Sequence, residues 1–195
     1  MIIAYAGLAM LVIALLFRRD FSAVNEIRLR GSWLTVAVFG LLFATQLLQI
    51  LVAPAHPIPP AAVMIGSQVV LLAFLLANLH IPGMKLLTLG LGLNLLVMSL
   101  NGGWMPVTPA THEYVRPDAI ATLYSVPLGS KNIVLERADT TFWFLSDILR
   151  LPLPWRRYAL SIGDVFLLLG IAEFLIRATS GTHFLPKRRR RALQS

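Results

Sequence analysis

The stretch Asn101-Gly-Gly-Trp-Met-Pro-Val107 divides the chain. The apolar run over residues 84–100 stops there, and the only long polar segment begins. Two glycines release a helix, a tryptophan stands where an interface anchor would, and a proline forbids immediate resumption. Outward from this point, the chain reads as apolar helices holding the exit, and the loop behind it, at one face of a bilayer.

Composition points the same way. The 195 residues are 57% hydrophobic and only 13% charged, about half the charged fraction of a soluble domain. Apolar runs of about 18 residues recur, the length a membrane helix needs. With no cysteine in the chain, disulfides, thiol catalysis, zinc–thiolate and iron–sulfur sites are excluded. The net charge of +8 lies largely in short loops and at the C-terminus. In those places basic residues set topology and meet anionic lipid rather than nucleic acid.

The expected fold is an all-α membrane protein with five transmembrane helices, at about residues 1–17, 33–53, 61–80, 84–101 and 159–176. The first helix lacks a basic leader and a small-x-small cleavage site, so it reads as an uncleaved anchor. Arg18, Arg19, Arg28 and Arg30 mark the next loop as cytoplasmic, giving an N-out, C-in topology. Residues 1–178 form one polytopic domain, and 179–195 form a basic cytoplasmic tail containing Lys187-Arg-Arg-Arg-Arg191. The loop 102–158 carries six basic residues against five acids and is assigned to the outside. Within it, residues 140–149 are aromatic and too short to span, as expected of an interfacial or re-entrant helix. Leu151-Pro-Leu-Pro-Trp155 follows as a rigid return, and residues 120–135 suggest a hairpin turning at Val126-Pro-Leu-Gly129. The implied localisation is a bacterial inner membrane, multi-pass, with the bilayer and anionic lipid at the tail as partners. A membrane protein or a second copy of the chain is a further possible partner, and nucleic acid is not expected.

Polar side chains in the apolar runs supply the candidate site. Gln46 falls about 9 Å below the outer end of its helix, Gln68 about 10 Å, Asn94 about 10 Å below Asn101, and Asp164 about 7 Å in, with Ser161 one turn above it. Taken singly, the amides are accounted for by hydrogen bonds between helices. Asp164 differs, because an acid at such depth costs about 2.5 kcal/mol or more unless paired, hydrated or protonated. No basic residue lies deep in another run, so water, the amides or a group from the long loop must satisfy it. Asp147, seventeen positions earlier, is the second acid. Two close carboxylates can share a proton and work as acid and base on a water. Glu173 is covered by an i,i+4 pair with Arg177.

The histidines at 56, 80, 112 and 183 lie on different loops and form no metal site, and no cofactor is expected. There is no phosphate-binding loop, dinucleotide pattern or nucleophile elbow. Gly90 and Gly92 suit close helix packing.

The Asn101–Val107 motif, Ser146-Asp147 and Ser161-Ile-Gly-Asp164 together resemble a family of small bacterial five-helix membrane proteins classed as a domain of unknown function. That resemblance implies a cell-membrane protein and supplies no activity. Locally, Ser161-Ile-Gly-Asp164 and the apolar helix after it are similar to the end of lipoprotein signal peptidase, where an Asn-x-Ala-Asp opens the last helix. The resemblance implies that Asp164 matches one of that family's two catalytic aspartates. Serine and glycine replace the asparagine and alanine, and the family's second signature, Gly-Asn-x-x-Asp-Arg, is absent, so Asp147 would have to substitute.

Two functions follow as expectations. The first is a binding or accessory protein with an outward-facing polar chamber for an amphiphile or partner segment. Gln46, Gln68, Asn94 and Asp164 form the floor of that chamber with Ser161 as a further binding residue, the loop 102–158 is its lid, and Asn101 and Trp104 form its rim. The second is an intramembrane aspartyl hydrolase using Asp147 and Asp164.

Overall fold

A computed structural model describes residues 29–31, single positions between 33 and 44, 60–127 and 130–179. Helix α1, Pro60–Ala77, starts on a proline, whose fixed φ suits a first helical turn. Its end is closed by Asn78, a fully buried residue. The Asn78 amide donates to the carbonyls of Phe74 and Arg30, and its oxygen accepts the Arg30 N–H. A tight turn through Gly83, at φ 81°, enters helix α2, Met84–Leu100.

Helix α2 packs along helix α4, Ile162–Thr179, in antiparallel fashion. Gly83 meets Gly170, and Gly90 meets Gly163, so both helices present glycines seven residues apart. A Cβ placed on Gly90 would lie 2.5 Å from the Gly163 carbonyl oxygen, and one on Gly170 would lie 2.9 Å from that of Gly83. The two backbones therefore touch. Gly92, expected to share this role, faces open space.

The five-span expectation is corrected. Among the described residues, no helix is long and apolar enough to cross a membrane. Helices α1, α2 and α4 have 18, 17 and 18 residues. At 1.5 Å per residue each is about 26 Å long, short of a hydrocarbon core of about 30 Å. The apolar runs are cut by the turns at 78–83 and 101–103 and by a polar cap at Ser161. The multi-pass architecture and the inner-membrane localisation resting on it are withdrawn with it. The expected helix over 1–17 and the tail 179–195 lie outside the described residues, apart from the last residue of α4. Of the expected 33–53, only positions 33, 37, 38, 40, 41 and 44 are described, all helical.

The chain is not all-α either. Residues 102–158, expected as a loop, fold into a small cap. Strand β1, Met105–Val107, runs parallel to strand β2, Asn132–Val134. Between them helix α3, Pro109–Val115, is N-capped by Thr108, whose hydroxyl accepts the Thr111 N–H at 3.3 Å. Tyr124 and Ser125 lie against Val134: the Tyr124 N–H donates to the Val134 carbonyl at 2.8 Å, and the Val134 N–H donates to that of Ser125 at 3.0 Å, while Leu128 and Gly129 of the expected turn lie outside the described residues. The strand partner of β2, however, is β1. In place of the interfacial helix expected over 140–149 there is one 3-10 turn, Trp143–Leu145, preceded by another at Arg137–Asp139. Strands β3, Leu149–Leu153, and β4, Arg156–Leu160, form an antiparallel hairpin around Pro154-Trp155.

The core joins cap to helices through Met64, Val97, Met98, Trp104, Met105 and Leu145. Trp104 is thus a core residue rather than a surface anchor. Asn101, buried beside it, donates to the carbonyls of Val97 and Thr141 at 2.7 and 3.0 Å and accepts the Thr141 N–H at 3.1 Å. It ties the end of α2 to the turn that leads to Asp147.

Candidate functional site

The start of α4 is a capping box. The Ser161 hydroxyl accepts the Asp164 N–H at 2.9 Å, and Asp164 Oδ2 accepts the Ser161 N–H at 3.3 Å. Asn94 of α2 closes the arrangement. Its Nδ2 donates to Asp164 Oδ1 at 2.8 Å, and its Oδ1 accepts the Ser161 hydroxyl at 2.7 Å. All three side chains are buried. Both oxygens of Asp164 are therefore held, and the acid serves the helix N-terminus, where a negative charge is favoured.

Asp147 reaches the same region from the cap. Its backbone N–H donates to the Pro106 carbonyl at 3.3 Å, and its Oδ2 accepts from Asn132 Nδ2 at 2.7 Å. Its Oδ1 is buried with no hydrogen-bond partner. Burial foremost, and then the Asp164 charge, push the Asp147 carboxyl up to about 6, against the opposing pull of Lys131 and the Asn132 hydrogen bond. Lys131 faces both acids. Burial opposes its charge, but Asp147 and Asp164 outweigh that and hold the ammonium above its ordinary value. Among the described residues no group accepts a hydrogen bond from Lys131, and none joins the two carboxylates to each other.

The candidates of the sequence thus separate. Asn94, Ser161, Asp164 and Asp147 come together. Gln68 lies elsewhere, donating to Met98 Sδ at 2.9 Å. Asn101 and Trp104 support the cap, as described above, and Gln46 lies outside the described residues. Lys131 and Asn132 were not singled out in the sequence. The signal available was indirect: a buried acid with no basic partner in the apolar runs calls for one from the loop, and Lys131 is the loop cation that answers it. His112 is buried with neither ring nitrogen bonded, and burial together with the Arg116 charge lowers its pKa. Among the described residues no cluster of three or more His, Asp or Glu could hold a metal ion.

Fold and site define a helical scaffold with two buried aspartates and a half-buried lysine beneath a small mixed α/β cap. By sequence the chain belongs to the Family of unknown function (DUF5317), whose profile matches residues 26–176. An uncharacterized protein of Thermotoga maritima is 35% identical over 114 residues, covering 56% of this chain and 60% of that protein. The chain therefore spans under two thirds of that relative's length. No solved structure matches. The resemblance to a family of unknown function is borne out at that level, while the likeness to lipoprotein signal peptidase is not shown by these comparisons.

Proposed function

We propose that the protein is a binding protein whose recognition site is the Asp147–Lys131 pair, with Asp147 anchored by Asn132 beside the Asn94–Ser161–Asp164 cluster. The observation that carries this reading is the unbonded Asp147 Oδ1. A buried acceptor without a donor costs about 1–3 kcal/mol, and a ligand donor at that atom removes the cost. Lys131 adds a donor with no described acceptor. A compact group that both donates and accepts, a hydroxyl or a carboxamide, matches the pair. Ligand-observed NMR with a panel of small alcohols and amides tests the reading. Saturation transfer should appear for the wild type and vanish for Asp147→Leu and Lys131→Met. Equal transfer to all three proteins would sink it.

A second reading, an aspartyl hydrolase, draws support from Asp147, whose carboxyl at about 6 suits acid–base work near neutrality. It requires Asp164 to act as the second carboxylate, yet both oxygens of Asp164 are engaged. Peptide or ester hydrolysis by the wild type, abolished in a folded Asp164→Asn variant, would favour this reading over binding.

A further inference from the structure

The hairpin β3–β4 carries Arg150, Arg156 and Arg157, and no acid. Its register sets Arg150 opposite Ala159 and Pro152 opposite Arg157. Arg150 and Arg157 are therefore diagonal neighbours on one face of the hairpin, within reach of each other for long side chains. Both guanidinium carbons lie 5.4 Å from the ring centroid of the same residue, Tyr114 of α3. The aromatic ring attracts each cation. Arg150 is further fixed by Nε and Nη2 donating to Thr111 Oγ1 at 3.4 and 3.2 Å, and Thr111 is itself buried. Among the described residues neither guanidinium has a carboxylate within ion-pair distance.

Like charges gathered on one ring repel, and among the described residues no anion is placed to offset them. Guanidinium groups present donors in planar forks that match tetrahedral oxoanions. We propose that Arg150 and Arg157, seated on Tyr114, form a binding site for the phosphoryl group of a small ligand. Arg150 is the pre-ordered arm, since Thr111 fixes its Nε edge and leaves the remaining guanidinium donors free. Arg157 is the adjustable arm, holding only the ring. The site shares no residue with the Asp147–Lys131 pair, so the two proposals stand or fall separately.

The test is titration of the full chain with inorganic phosphate and with pyrophosphate, in chloride buffer, followed by 31P NMR and calorimetry. Both anions should bind, pyrophosphate more tightly. Arg157→Gln should weaken pyrophosphate about tenfold, the scale of one charge-assisted contact. Tyr114→Leu should weaken it by unseating both arms, while Tyr114→Phe, which keeps the ring, should bind as the wild type does. Among the described residues the Arg157 side chain makes no hydrogen bond, so its substitution reads the site and not stability. Absence of binding by either anion at millimolar concentration overturns the proposal, as does binding unchanged in Arg157→Gln. An oligonucleotide arm separates the sources of phosphate: if a short single strand binds and pyrophosphate does not, the small-ligand site is refuted in favour of a nucleic-acid surface.

Discussion

Replacing Asp147 with asparagine should stabilise the protein above neutral pH. In the fold the carboxyl is raised from 3.8 to about 6. A carboxyl raised in the native state favours folding below its unfolded pKa, where it is protonated in both states. That contribution is lost as pH climbs through the folded pKa, because the native state must then carry a disfavoured buried charge. The shift is roughly two units, and at about 1.4 kcal/mol per unit the ionised side chain costs about 3 kcal/mol. Asparagine removes the charge and can still accept from Asn132 through its carbonyl. The variant should match the wild type below pH 3.8, gain through the window up to about 6, and hold a constant lead above it. For a chain of this length about 3 kcal/mol corresponds to roughly 6–12 °C in Tm. Thermal melts of both proteins across that window read the difference directly. A lead that does not vary with pH, or a variant less stable than the wild type above pH 6, would refute the reasoning. A residue whose loss stabilises is one kept for something other than the fold, so this measurement also bears on the binding reading.

Other outcomes follow from the same geometry. Ser161→Ala removes a helix N-cap and should cost about 0.5–2 kcal/mol in urea unfolding, with Asn94 Oδ1 losing its donor as well; an unchanged midpoint would contradict the capping box. Gly90→Ala pushes a methyl onto the Gly163 carbonyl and should destabilise by about 1–3 kcal/mol, seen as a drop in Tm of roughly 2–12 °C. Gly92→Ala, facing open space, should leave Tm level or raise it slightly, through the better helix propensity of alanine. His112, whose pKa is lowered in the fold, contributes stability that is present above 6.5 and lost as pH falls below it. A His112→Leu variant should therefore show a flatter acid limb in urea midpoints than the wild type.

The helices were legible where hydrophobicity alone decides them. The apolar runs around 61–80 and 84–101 appear as α1 and α2 with ends within a few residues, and the last run appears as α4. What crosses between segments was not legible. Strands β1 and β2 are three residues each, too short to show alternation, and one contains Pro106. Their parallel pairing spans the whole of α3, so nothing local announces it. Ser161-Ile-Gly-Asp164 before an apolar run is a capping-box pattern, but within a run of membrane-helix length the same acid looks like an isolated intramembrane charge. Trp104 met the composition of an interface anchor equally well as that of a core residue, and only the cap folding over it decides between them. Lys131, just before β2, comes within electrostatic range of both aspartates through the tertiary path of that strand, which no spacing in the sequence encodes.

The bare backbone seam between α2 and α4 has a consequence for the chemistry above it. Asn94 stands one turn beyond Gly90, and Asp164 is next to Gly163. A side chain on Gly163 would strike the Asn94 amide before anything else. The two missing side chains thus act as a gauge that sets how far Asn94 stands from the carboxylate it supports. Sliding one helix by a turn, about 5.4 Å, would separate the glycine pairs and the amide–acid pair at once. A change made for packing at Gly163 is therefore also a change to the acid cluster, and its first symptom should be a lost Asn94–Asp164 hydrogen bond rather than a loosened core.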